Sequence, residues 1–134
     1  MKTETVKQIL SQYRTLQGEY NLRKALHPDC QLDESARLLK QKIDVIEAML
    51  LLLTEEERFV ITKHLGDKLS WSLLVVECEK RWGVEQARHV RTLTRFQSQA
   101  LEKIAAGIRK WKMASQIEKL FQTNQNLEED GNEH

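Results

Sequence analysis

Proline and glycine are scarce in this chain, whose 134 residues include one proline and five glycines. Proline interrupts a helix because it lacks a backbone donor, and glycine weakens one because it loses more conformational freedom on folding than other residues. Their scarcity leaves room for long helices, and no stretch of the sequence indicates a β-strand. We therefore expect an all-α protein, with enough hydrophobic residues (40%) for a small core.

Cysteine and long hydrophobic runs are scarce as well. The two cysteines, Cys30 and Cys78, lie too far apart in sequence for a metal-binding or redox motif. The apolar run from Ala48 to Leu53 has six residues, whereas a membrane-spanning helix needs roughly 20. No signal peptide is recognisable. These absences predict a cytoplasmic protein with reduced thiols and no membrane partner.

Sequence motifs of enzymes are also missing. The four histidines form no pair with metal-ligand spacing, and neither His-Glu-x-x-His, Gly-x-Ser-x-Gly nor a glycine-rich phosphate loop occurs. Glu55, Glu56 and Glu57 are adjacent, but the helix dipole explains acidic residues in a first helical turn. Cys78 falls on an apolar helix face, where a small core residue is the ordinary interpretation. We predict no enzymatic activity, no metal site and no cofactor.

Apolar residues in the first part of the chain have heptad-like spacing. Residues 3–26 predict one helix that ends near Pro28, because proline disfavours helical geometry in the residue before it. Asp33 or Ser35 can cap a second helix. The apolar stripes, with alternating spacings of three and four, comprise Val6, Ile9, Tyr13, Leu16 and Tyr20 in the first helix and Leu32, Ala36, Leu39, Ile43, Ile46, Leu50 and Leu53 in the second.

Two such helices joined by a short loop predict an antiparallel helical hairpin over residues 1–52. Its stripes can close on each other, pack against the rest of the chain or pair with a second copy. Because two helices alone bury little apolar surface, we expect a homodimer in which the hairpin is the dimerisation element.

The middle of the chain carries clear signals for helix ends. Thr54 and Glu57 form the capping-box pattern at a helix start. Gly66 suits the end of that helix because glycine tolerates a left-handed cap. Ser70 can cap the next helix, and Gly83 is expected to break it.

A third helix is predicted at about residues 89–106 and has two different sides. One side carries Val90, Leu93, Gln97, Ala100 and Ile104, and the other carries Arg88, Arg91, Thr92, Arg95 and Gln99. The segment from Ala105 to Gly107 is expected to loosen the helix. A short helix, a second helix, a glycine turn and a long basic helix predict a helix-turn-helix domain over residues 53–112.

The formal net charge of +1 is an average over segments that differ. From Arg88 to Lys112 there are seven basic residues and one acidic residue, whereas residues 113–134 contain one basic and five acidic residues. Concentrated positive charge is expected of a phosphate-binding surface, although a solvated helix face is the alternative. We interpret residues 113–134 as an amphipathic extension followed by a disordered acidic tail.

Three motifs carry a resemblance to a known family. They are Leu53-Thr54-x-x-Glu57-Arg58-x-Val60-Ile61, Val90-Arg91-Thr92-Leu93-x-Arg95 and Ala100-Leu101-x-Lys103-Ile104. Over about residues 50–107 the chain resembles region four of bacterial sigma factors, and more closely the phage-encoded ArpU-like late transcription regulators. The resemblance implies a sequence-specific regulator of phage or prophage genes that binds double-stranded DNA. It leaves open whether RNA polymerase is a partner.

In this interpretation the N-terminal turns of the third helix enter the major groove. Arg91 and Arg95 lie four residues apart, and arginine can contact guanine through two hydrogen bonds. The predicted base contacts are His89, Arg91, Thr92 and Arg95. The predicted phosphate contacts are Arg88, Gln99, Lys103, Lys63 and Lys68.

Two alternatives remain open at the level of the sequence. In one, the protein is a helical interaction adaptor that does not bind DNA, and the helix-turn-helix is only a packing unit. In the other, it is a small phage DNA-packaging subunit, which would form ring-like oligomers rather than dimers.

Overall fold

The computed structural model describes residues 1–27, 33–86 and 89–122, and every regular element in these ranges is a helix. The all-α prediction is confirmed. The described residues form seven α-helices: α1 (Thr3–Leu10), α2 (Tyr13–Leu26), α3 (Glu34–Leu50), α4 (Glu55–Ile61), α5 (Trp71–Trp82), α6 (Val90–Lys110) and α7 (114–122). A π-helical turn, Thr62–Gly66, follows α4, and a 3-10 turn, Val84–Gln86, follows α5. Pro28, Cys30, Leu32, Arg88 and the predicted acidic tail beyond residue 122 lie outside the described residues.

The predicted single helix over residues 3–26 is wrong, because α1 and α2 are separated by a turn at Ser11 and Gln12. The hydroxyl and the amide of Ser11 both donate hydrogen bonds to the carbonyl of Lys7, at 2.6 and 3.0 Å. The amide of Gln12 then pairs with the carbonyl of Ile9, three residues back rather than four, at 3.1 Å. The ammonium of Lys68 donates to the carbonyl of Ser11 at 2.8 Å. The turn therefore leaves the carbonyl of Ser11 free to accept a hydrogen bond from Lys68, which lies in a loop distant in sequence.

Helix α3 follows the predicted pattern closely. The carboxylate of Asp33 caps it by accepting a hydrogen bond from the amide of Ala36 at 2.8 Å. The hydroxyl of Tyr13 donates to the carboxylate of Glu47 at 3.1 Å and so connects the start of α2 to the end of α3. The predicted apolar positions that lie within the described part of α3 are buried: Ala36, Leu39, Ile43, Ile46 and Leu50.

A large hydrophobic core is shared by the predicted hairpin and the predicted helix-turn-helix domain. Its buried members include Val6 and Ile43 from the first part of the chain and Ile61 and Ile104 from the second. One side of α7 completes it with three partly buried residues, Ala114, Ile117 and Phe121. The predicted boundary between residues 52 and 53 therefore does not coincide with a gap in the core, and the heptad stripes are used within the chain.

A smaller hydrophobic core joins α4, α5 and α6. Val60, Leu74, Cys78 and Leu93 are buried in it, and the predicted burial of Cys78 is confirmed. Five partly buried side chains surround them: Phe59, Trp71, Val75, Trp82 and Phe96. The first half of α6 is held by this core, and its second half by the larger one.

Three of the four predicted helix-end signals have the expected physical basis. Thr54 and Glu57 form the capping box, Ser70 caps α5, and Gly83 ends α5 with a φ of 88°. Gly66 does end the π-helical turn, but it is not left-handed. The left-handed residue there is Lys68, with a φ of 62°.

Helix α6 differs from its prediction at both ends. Val90, placed on the buried side by its spacing, is 43% exposed. Residues Ala105 to Gly107 do not loosen the helix, which continues to Lys110, and Ala105 is fully buried. A Cβ atom on Gly107 would lie 3.2 Å from the side chain of Trp111, so the glycine allows this aromatic ring to fold back on the helix. Trp111 nevertheless remains 54% exposed.

Candidate nucleic-acid interface

The candidate interface is the outer side of the first half of α6. Its inner side is fixed because Leu93 and Gln97, one helical turn apart, are buried. His89 occupies the N-cap position in an extended conformation, and its side chain makes no capping hydrogen bond. Arg91 and Arg95 follow on the outer side, and both are exposed.

The guanidinium groups of Arg91 and Arg95 have no partner among the described residues, where neither makes a hydrogen bond or an ion pair. Their neighbour Thr92 is half-buried, and Thr94 uses its hydroxyl to donate to the carbonyl of Val90 at 2.8 Å. The predicted base contacts are therefore brought together at one end of α6, with the two arginines the most available for a ligand.

Lys103 belongs to the same helix but is held by α4. Its ammonium lies 2.6 Å from Oε1 of Glu57, whose side chain is only 7% exposed. The same oxygen accepts a hydrogen bond from the amide of Thr54 at 2.9 Å. Burial would raise the pKa of Glu57, but the hydrogen bonds from Lys103 and Thr54 outweigh it and hold the pKa below its ordinary value. Glu57 thus remains charged and connects α4 to α6.

The other predicted phosphate contacts also include residues that another part of the chain already binds. Lys63 lies 3.6 Å from the carboxylate of Asp67, and Lys68 is bound to the carbonyl of Ser11. Gln99 is exposed on α6, and Arg88 lies outside the described residues. Lys63, Lys68 and Lys103 therefore already have internal partners.

The count of seven basic residues against one overstates the free positive charge of this segment. Glu57, from another helix, pairs with Lys103, and Glu102 pairs with Arg109 at 3.0 Å. The exposed cations of α6 that remain without a described partner are Arg91 and Arg95 near its start and Lys110 at its end.

The structure also shows a cleft that sequence reasoning missed. It lies between α4 and α5, has a volume of about 380 Å³, and is lined by Glu55, Arg58, Phe59, Thr62, Lys63 and Arg81. The guanidinium of Arg81 is 5.2 Å from the centre of the Phe59 ring and 2.6 Å from the carboxylate of Glu55. Helical spacing could have placed Arg58 beside Glu55. Arg81 gave no signal, because it lies in a different helix.

Within the described ranges, no group of three or more His, Cys, Asp and Glu side chains is arranged to hold a metal ion. None of the helices described is both long enough and apolar enough to pass through a bilayer.

Comparisons with protein-family models, with curated proteins and with solved structures gave no match.

Proposed function

We propose that this protein is a sequence-specific, DNA-binding transcription regulator of the phage or prophage type, and that the first half of α6 enters the major groove. The observation that carries the proposal is the pair of exposed arginines, Arg91 and Arg95, which have no partner among the described residues. The regulatory part rests on the resemblance of the motifs around Thr54, Arg91 and Ala100 to sigma region four and the ArpU-like regulators.

The spacing of the two arginines suits a DNA ligand. Residues four apart in a helix lie on one side and are separated by about 6 Å along its axis. Successive bases of one strand are about 3.4 Å apart, so the two side chains can reach neighbouring base edges. Each arginine can form a bidentate hydrogen bond with a guanine. His89, at the start of the same helix, lies where a helix end approaches the groove.

The contacts around α6 hold it in one position, as a DNA-recognition helix requires. The smaller core packs Leu93 of α6 against α4 and α5, and the pair between Glu57 and Lys103 connects the same helices farther along. Because Lys63, Lys68 and Lys103 have internal partners, a phosphate would have to share or displace these partners. We therefore expect these three lysines to contribute less to DNA affinity than Arg91 and Arg95.

The test is the salt dependence of binding to mixed-sequence duplex DNA. Wild type is compared with the double variant Arg91→Ala, Arg95→Ala, and with the control Arg37→Ala, Lys110→Ala. The control removes the same charge from two exposed positions outside the first half of α6. We expect log K to fall linearly with log salt, through counterion release, and binding to weaken in the first variant much more than in the control.

Two results would overturn the proposal. One is the absence of binding at low salt by protein that circular dichroism shows to be folded. The other is an equal weakening of DNA binding in the two double variants, because the loss would then follow from the lower net charge alone.

One observation favours the adaptor alternative. Leu73 and Val76, on the outer side of α5, are 55% and 43% exposed, and apolar side chains are unusual on a helix that crosses a phosphate backbone. Failure to bind DNA would make this side of α5 the first place to look for a protein partner. Ring-like oligomers would instead favour the packaging subunit.

A further inference from the structure

Helix α2 has an apolar face that none of the described residues covers. Leu16 is the only residue of α2 that is buried. On the side that faces away from Tyr13 and Tyr20, which pack against the larger core, Leu22 is 63% and Leu26 is 68% exposed. Most of the surface of these two leucines, which lie one turn apart, stays in water in the monomer, so burying it against a partner would be favourable.

Gly18 lies on the same face, one turn before Leu22. A glycine within a helix costs about 1 kcal/mol relative to alanine, and a close approach by another group is a common reason to keep one. Nothing lies within 4 Å of a Cβ atom added at Gly18, so nothing in the described part of the chain makes this close approach. The glycine leaves an open depression beside two protruding leucines.

Charged groups flank this face on one side. With about 100° of rotation per residue, Gly18 and Leu26 lie about 40° to either side of Leu22, while Glu19 and Arg23 lie together on one flank. Their ion pair is loose, with Nε of Arg23 at 3.9 Å from the Glu19 carboxylate. This distance is beyond hydrogen-bond range. Nε of Arg23 is itself buried, but the Arg23 side chain is 42% and the Glu19 side chain 49% exposed, so the exposed parts of both groups can take a second partner.

We propose that this face of α2 binds the α2 helix of a second copy, with the two helices antiparallel and Leu22 at the two-fold axis. Gly18 and Leu26 lie four residues from Leu22 in opposite directions, so Leu26 of each copy would fill the depression at Gly18 of the other. In an antiparallel pair the same flanks meet, which brings Glu19 of one copy near Arg23 of its partner. This reciprocal match of shape and charge points to a second copy as the occupant, because an isologous interface must be self-complementary.

The interface differs from the one that the heptad pattern predicts. The stripes of α1, α2 and α3 pack in the chain's own core, where Tyr13 and Tyr20 of α2 are partly buried, and the proposed contact uses the side of α2 that faces away from these two tyrosines. It does not rest on the proposed function, since two copies can associate whether or not they bind DNA.

The first test is sedimentation equilibrium without DNA, for wild type, Leu22→Glu and the control Leu51→Glu. Leu51 is a leucine that is 74% exposed and lies elsewhere in the fold. We expect a monomer–dimer equilibrium whose dissociation constant rises about tenfold or more in Leu22→Glu, because a central apolar contact would be replaced by a buried charge. The control should dissociate like wild type. A monomeric wild type, or equal effects of the two changes, would overturn the proposal.

The second test uses Gly18→Ala, for which the proposal predicts effects of opposite sign. Alanine raises helix propensity, so the thermal midpoint of the monomer should rise. The added methyl group occupies the space meant for Leu26 of the partner, so the dimer dissociation constant should also rise. Stronger association together with the higher midpoint would contradict a close approach at Gly18.

A covalent test covers the case in which a charged variant misfolds. In a Cys30→Ser background, Leu22→Cys should form a disulfide-linked dimer under mild oxidation, because the two copies of residue 22 face each other across the two-fold axis. Leu51→Cys in the same background is the control. Cross-linking at position 51 that equals or exceeds cross-linking at position 22 would rule out the proposed geometry.

Discussion

The two halves of α6 both carry basic residues, but the surroundings of these residues differ. In the first half, Arg91 and Arg95 project from the surface without a described partner. In the second half, Lys103 and Arg109 are paired with Glu57 and Glu102. The apolar residues of the two halves also pack differently. Those of the first half lie in the smaller core, and those of the second half lie in the larger core. A basic residue on one helix can therefore be a ligand contact or a structural contact, depending on what another part of the chain places beside it.

The largest effect that separates the halves is expected from truncating their apolar residues. Ile104→Ala removes a fully buried side chain of the larger core and should reduce the free energy of unfolding by about 2–5 kcal/mol. Val90→Ala, at a position that is 43% exposed, should change it by less than about 0.5 kcal/mol. Urea denaturation measures both values. Similar losses would mean that the start of α6 is packed more tightly than the 43% exposure of Val90 indicates.

A smaller and different effect is expected for Arg91. At a site selected from random duplexes, Arg91→Ala should weaken binding by about 1–3 kcal/mol and relax the preference for one base pair. The free energy of unfolding of this variant should stay close to that of wild type, because the Arg91 side chain makes no hydrogen bond or ion pair with the described residues. Competition binding with single-base variants of the site measures the preference. Equal losses on cognate and random DNA would make Arg91 a phosphate contact.

The smallest effect, and the one that depends on pH, concerns Lys103. Lys103→Ala should lower stability by about 1 kcal/mol near neutral pH, a modest value because the lysine is partly exposed and solvent screens the pair. The pKa of Glu57 is lowered from 4.5 in the fold, so its stabilisation is present above about pH 4.5 and is lost as the pH falls through the lower, folded-state pKa.

Urea titrations of wild type and Lys103→Ala at pH 7 and pH 3 test this sign. The difference in the free energy of unfolding between the two proteins should be largest at pH 7 and should narrow as the pH is lowered to 3, because protonation of Glu57 removes its attraction to Lys103. A gap that is constant with pH would mean that Lys103 stabilises the fold through its aliphatic part rather than its charge.

The features that sequence reasoning anticipated are local ones. Asp33, Thr54 and Ser70 each cap a helix through an amide three residues away, so a short stretch of sequence contains both partners. The heptad stripe of α3 is likewise a property of one helix, and its burial follows from its spacing alone.

The features that were missed depend on contacts between distant segments. Lys103 meets Glu57 across 46 residues, and Lys68 meets Ser11 across 57. No periodicity in either segment specifies these pairs. Val90 was misplaced for a related reason: its spacing fits the buried stripe, but at the first turn of α6 the packed helices no longer cover that side.

A single oxygen of Glu57 has a consequence for how mutations in this protein would spread. Oε1 both completes the cap of α4 and anchors Lys103 of α6, so the starting point of one helix and the placement of another share an atom. A change at Thr54 that shifts this carboxylate would also change the contact that Lys103 of α6 makes. A substitution at the cap of one helix is therefore expected to weaken the attachment of another helix that lies far away in the sequence.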